Sequence, residues 1–230
     1  MRVHSPSANI RKDDSDDQAF FIGARFMAGS SRLLFGVGIN DSTYSTRHAV
    51  NVNGSQKTLW ECQFYAKWKS MLERCYSARW LEIHPSYVGT SVCDEWLRFS
   101  VFKSWMELQE YVGMDLEKDL IKPGNRVYGP ENCIFITESI NAFITESKSI
   151  KGEWPTGVHY DSRKKKFIAQ VNDPFSCRRK HLGNFSCPNT AHKAWRLAKH
   201  SFACRYADMQ TDPRIAEALR TRYLPDKEII

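Results

Sequence analysis

Between Leu59 and Ala207 the apolar residues follow two periods. Trp60, Phe64, Trp68, Leu72 and Cys75 recur every three or four residues, while Lys67, Lys69, Glu73 and Arg74 take the other faces. This is the spacing of an amphipathic helix opening at Leu59. Residues 94–111 repeat it through Trp96, Phe99, Phe102, Trp105 and Met106, and the intervening HPSYVGTSVC carries Pro and Gly turn signals. From Asp115 to Thr137 the pattern gives a short strand, a turn at Lys122-Pro123-Gly124-Asn125, a loop through Tyr128-Gly129-Pro130 and a strand over Cys133 to Ile136. A helix opens near Thr137, with Glu138 in its first turn.

Beyond residue 156 the period changes to two. Gly157-Val158 begins a strand, Phe167, Ala169 and Val171 alternate with Ile168 and Gln170, and His181 to Phe185 forms a third strand. Arg163 to Lys166 is a basic turn. Ala191, Ala194, Trp195, Ala198 and Phe202 then share one helical stripe, and a last short helix runs from Pro213 to Leu224. Three antiparallel strands need a helix over one face to be stable. The small Ala residues let that helix lie close, which leaves the other face open to carry charge. The fold class is therefore α+β: a helical central module with two strands and a helix, then a three-stranded antiparallel sheet packed on one helix. The segments are a polar, mobile tail at 1–19, an irregular stretch at 20–58, the central module at 59–147, a linker at 148–156, the sheet module at 157–207 and a closing helix and tail at 208–230.

Composition supports a packed core: 42% of residues are apolar and 13% aromatic. The longest apolar stretch, Ala19 to Ile39, is broken by Arg25 and Arg32, so no segment suits a bilayer, and the polar start lacks a signal peptide's apolar middle. A cytoplasmic protein is expected, with its seven irregularly spaced Cys reduced. Charge changes the picture most. Residues 148–206 hold thirteen Lys and Arg against three Asp and Glu, a local net charge of +10; the chain as a whole is +7, so the remainder sums to −3. Such segregation is a footprint for a polyanion, and nucleic acid is the default polyanion.

The ordered pieces GV, KFIAQV and LGNF followed by an Ala-rich helix resemble the plant APETALA-two/ethylene-response-factor DNA-binding domain, over residues 154–204. That resemblance implies a sheet lying in the major groove of double-stranded DNA. Carried over by position, it nominates His159, Arg163, Lys165, Gln170, Arg178, Arg179 and Lys180 as contacts. Phe167 stands where that family usually has Trp. Lys and Arg would neutralise phosphates and release counterions.

Over residues 60–147 the segments WKSMLERCY, HPSY, VCDEW, FSVFKSW, LEKDL, YGPENCIFI and IN resemble phage proteins related to the HNH endonucleases. The resemblance implies a phage-encoded protein acting in the host cytoplasm, with a two-strand, one-helix unit built to hold one divalent metal. Asp119, Asn132 and Asn141, thirteen and nine residues apart, match an Asp…Asn…Asn version of its motif. Asp119 and Asn141 would be oxygen ligands for Mg2+ or Mn2+, and Asn132 would prop the loop. The general-base His is replaced by Leu120, which has no proton to exchange. The expectation is a DNA-binding protein on a catalytically degenerate nuclease scaffold; the alternatives are an active homing-type endonuclease and a phage factor binding a host protein. Cys75, Cys93 and Cys133 with His84 have zinc-ligand chemistry but no CxxC spacing, which favours small buried hydrophobes over a zinc site.

Overall fold

Helix formation in the central module starts later than its apolar period suggests. The computed structural model describes residues 33–145 and 153–224, so the expected tail at 1–19 and most of the linker lie outside the described residues. Residues Arg47–Val52 (β1) and Ser55–Glu61 (β2) form an antiparallel hairpin turned by Asn53-Gly54. Both turn residues have positive φ, +52° and +81°, the backbone that an Asn-Gly hairpin turn requires. Trp60 therefore sits on β2, half exposed, and not on the following helix. The chain bends at Cys62, whose N–H donates to Thr46 O and whose C=O accepts the first helical bond from Ala66. Helix α1 is Gln63–Tyr76, and it buries Trp68, Met71, Leu72 and Cys75, the later part of the expected stripe.

Short helix α2 (Ala78–Ile83) leads to strand β3 (Ser91–Val92), which pairs in parallel with β5 (Val127–Tyr128). The expected second helix is split into a 3-10 turn at Asp94–Leu97 and helix α3 at Phe99–Met106. Strand β4 (Met114–Glu117) pairs antiparallel with β6 (Ile134–Thr137), and α4 (Glu138–Ile144) follows directly. Thr137 caps α4 by accepting the Ile140 N–H on its side chain, satisfying one of the helix's orphan donors. The sequence reading of strand, loop, strand and helix holds here.

The C-terminal sheet runs β7 (Val158–Asp161), β8 (Lys166–Asp173) and β9 (Arg178–Phe185), all antiparallel, and α5 (Pro188–Ala207) covers one face. Helix α6 (Pro213–Arg222) packs on α5. The chain is thus α+β with a three-stranded antiparallel sheet. Two apolar cores alternate along it. One joins Trp68, Trp96, Phe102 and Phe135 around α1 and α3. The other joins Ile134, Ile136 and Phe143 of the central module to Val171, Trp195, Phe202 and Leu219 of the C-terminal third. Strand β6 supplies both, because successive side chains point to opposite faces. Among the described residues no helix is long and apolar enough to cross a membrane.

Gly157 fixes the start of the sheet against α5. Its φ is +80°, and a Cβ there would stand 2.0 Å from the Trp195 ring. Gly157→Ala combines a left-handed backbone penalty with overpacking against a buried indole, about 2–4 kcal/mol together. Urea unfolding should show that loss; a midpoint unchanged from the parent would mean the strand and helix can move apart freely.

Candidate nucleic-acid interface

Register decides which side chains face outward. On β8, Ala169, Val171 and Asp173 are buried toward α5, and by alternation Lys166, Ile168, Gln170 and Asn172 take the other face, where Lys166 and Asn172 are exposed, Gln170 is half-buried and Ile168 is buried. Cross-strand partners share a face, and the pairs His159↔Ile168, Ile168↔Asn184, Gln170↔His181 and Asn172↔Arg179 place His159, Arg179, His181 and Asn184 there too. The Arg179 Nε donates to Asn172 Oδ1 at 3.5 Å, which confirms the shared side. His159, Asn172, Arg179, His181 and Asn184 are exposed. A β-bulge between Ala169 and Gln170 sets this arrangement. Gly183 pairs with Ala169 and His181 with Gln170, so Leu182 is the extra residue and packs into the core.

Of the seven contacts expected from sequence, the structure brings His159, Gln170 and Arg179 together on the open face. Arg163 and Lys165 lie in the β7–β8 turn, where Asp161 Oδ1 accepts the N–H groups of Arg163 and Lys164. Lys164 also pairs with the Asp161 carboxylate at 3.8 Å, so the acid on this strand is answered locally. Arg178 and Lys180 pair with Asp173 and Val171 and take the helix-side parity. Lys180 Nζ lies 2.7 Å from Asp173 and 5.3 Å from the Phe202 ring centre. Lys180 holds the Asp173 carboxyl well below its ordinary range. Lys166, Asn172, His181 and Asn184 were missed; only the position of the bulge could have revealed the last two. Phe167 packs with Trp154 and Tyr160 at 4.8 and 5.0 Å between ring centres, away from the open face.

In the central module, Asn141 on α4 and Asp119 after β4 engage different partners. Asn141 Nδ2 donates to Asp115 Oδ2 at 3.1 Å, and Lys67 Nζ takes Asp115 Oδ1 at 3.3 Å. Lys67 also donates to Met114 O at 2.6 Å. Lys67, Met114 and Asp115 line a cleft of about 330 Å3 with Gln63, Tyr111 and Glu138. Asp119 instead meets Lys118 at 3.1 Å, and its N–H donates to Glu117 Oε1 at 2.9 Å. Asn132 Nδ2 reaches Val127 O at 3.5 Å, a loop-bracing contact. Leu120 is 2% exposed and belongs to the core. Asn141 and Asp119 thus have separate partners, Asp115 for the one and Lys118 for the other.

No family model, curated protein or solved structure matches this chain. Among the described residues no three His, Cys, Asp or Glu side chains gather to hold a metal. Cys75 and Cys133 are buried, and burial pushes their thiols up to about 12, which suits small core hydrophobes.

The Glu117–Asp119 pair titrates unusually. Burial, reinforced by the adjacent Asp119 carboxyl, pushes Glu117 up to about 7 from an ordinary 4.5. Burial also opposes ionisation of Asp119, but the hydrogen bond from Glu117 and the charge of Lys118 outweigh it and lower that group. A carboxyl raised in the folded state stabilises the fold below its unfolded value and loses that contribution as pH rises through its folded one. Stability should thus fall between pH 4.5 and 7. Glu117→Gln should flatten that part of the profile, read as melting temperature across the window. Parallel profiles for parent and variant would show that Glu117 ionises normally.

Proposed function

We propose that the protein binds double-stranded DNA by laying the open face of the β7–β8–β9 sheet in the major groove. One observation carries the reading: the sheet turns Lys166, Gln170, Asn172, Arg179, His181 and Asn184 outward while α5 covers its back. Adjacent strands lie about 4.8 Å apart, so three span about 10 Å of backbone, within a groove about 12 Å wide. Arg and the side-chain amides offer donors and acceptors for base edges. The Arg163–Lys165 turn at one end of the sheet supplies cations for phosphates.

The central module fits a scaffold related to the HNH endonucleases, as the order β4, β6, α4 suggests, without the chemistry for hydrolysis. Position 120 offers a buried Leu where a general base would be needed. Both Asp115 oxygens are held by protein donors. The protein is then a phage-type DNA-binding protein that positions itself on duplex without cutting it.

Gel shifts with labelled mixed-sequence duplex test this directly. Arg179→Ala should weaken binding by about 1–3 kcal/mol, while Lys180→Ala, changed on the opposite parity, should leave affinity within a factor of about two. Binding by the parent should fall steeply with salt. Equal losses from the two variants, or no duplex binding at low salt, would defeat the reading. Supercoiled plasmid with Mg2+ or Mn2+ should stay intact; nicking that disappears in Asp119→Ala would restore the endonuclease alternative.

A further inference from the structure

The β1–β2 hairpin has no role in the sheet surface, yet it is built as a projecting ribbon. Its base is anchored: Cys62 N–H donates to Thr46 O at 2.9 Å, Asn40 Nδ2 donates to Thr46 Oγ1 at 3.2 Å, and Thr46 and Cys62 are buried. Every residue from Asn51 to Trp60 is exposed, so none of the other described residues covers either face. A two-stranded hairpin is marginal in water on its own. Holding one away from the core makes physical sense where it meets a partner.

Charge and shape identify that partner as a polyanion with a groove. The two strands carry Arg47, His48 and Lys57 against one acid, Glu61 at the base of the ribbon, which Lys69 of α1 answers at 3.3 Å. The register puts Arg47, Asn51, Gln56 and Thr58 on one face and Lys57 on the other. Arg47 Nε and Nη2 both donate to Thr58 Oγ1, at 3.1 and 2.6 Å, which lays the guanidinium along the ribbon. Asn51 Oδ1 accepts the Gly54 N–H at 2.9 Å and steadies the tip. The ribbon is about 20 Å long at 3.3 Å per residue, and a two-stranded ribbon is a shape the major groove admits. Near its tip, Gln56 has the paired donor and acceptor that match adenine's N6 and N7.

We propose that this ribbon is a second duplex-DNA contact. It enters the major groove tip first, with Arg47 and Lys57 meeting phosphates on the two walls and Gln56 at the base edges. The inference rests on the duplex-binding reading of the sheet, but it concerns a separate surface.

Fluorescence anisotropy of the full chain, with a labelled mixed-sequence duplex of about 30 base pairs, tests it over roughly 50–200 mM KCl. Each lost phosphate contact makes the slope of log affinity against log salt shallower by about 0.9, so R47Q/K57Q should lose about 1.8. K57Q alone should lose about 0.9 without touching the Arg47–Thr58 contact. A photo-crosslinking residue at Gln56 should trap the duplex. Unchanged slopes and no adduct from position 56, while the parent binds and a crosslinker at His181 reacts, would overturn the ribbon contact and leave the sheet reading standing. That is also the result expected of a ribbon serving a protein partner. No duplex binding by the parent would overturn both.

Discussion

The buried ammonium of Lys199 fastens the two halves of this chain to each other. Its Nζ donates to Phe143 O at 2.6 Å, and Lys199 itself is 8% exposed. The rings of Phe143 and Tyr223 lie 3.6 and 4.8 Å away, so aromatic faces as well as a carbonyl answer the charge. An ammonium out of water is costly without such partners. Phe143 occupies the last turn of α4, where helix carbonyls lack partners within the helix and the dipole favours cations. Arg222 of α6 donates to the next carbonyl, Ile144 O, at 3.2 Å. Two cations from the C-terminal helices thus close the helix of the central strand-strand-helix unit. The apolar core that runs from Ile134 to Tyr223 grows around that junction.

This junction explains why α5 covers only one face of the sheet. Helix α5 is occupied on two sides, by the sheet through Ala169, Val171 and the Phe202 ring beneath Lys180, and by α4 and α6 through Lys199 and Tyr206. It can cover the sheet only once. A sheet held this way presents side chains from a fixed backbone, the condition for docking against a partner without a large ordering cost. The bulge at Leu182 completes the division of labour. It sends Leu182 into the core and keeps Arg179 and His181 outward, while Lys180 turns back to Asp173.

That bulge marks the limit of what the sequence could tell. The period-two run of β8 and the Ala-rich stripe of α5 were legible because burial writes itself directly into residue type. The three consecutive cations Arg178, Arg179 and Lys180 were not sortable, since a one-residue slip exchanges the faces of a strand and no residue type announces the slip. Trp60 misled for a related reason. An exposed Trp on a hairpin continues the helical spacing of Phe64 and Trp68 by coincidence, and the bend at Cys62 depends on a hydrogen bond to Thr46, sixteen residues earlier. In the central module the elements were legible and the pairing within them was not. Asp115 and Asp119 are both plausible on a short acidic strand, and only the β4–β6 register shows Asp115 reaching Asn141.

Asp115 ties this unit together through groups that the chain itself supplies. A carboxylate on a first strand, half-buried and facing a helix, requires positive charge or donors nearby. Here Lys67 from α1 brings the charge and Asn141 from α4 brings the donor. Burial opposes the charged carboxyl, yet the Asn141 hydrogen bond and the Lys67 and Arg74 cations outweigh it and hold Asp115 below its ordinary range. Three elements, α1, β4 and α4, are thereby tied at one point by groups the chain supplies itself. An external cation at this position would have to displace an ammonium already bound to Asp115 and to the Met114 carbonyl. The Asp115 carboxylate is thus part of the frame, and the frame's output is the orientation of α4, the helix to which Lys199 is bound.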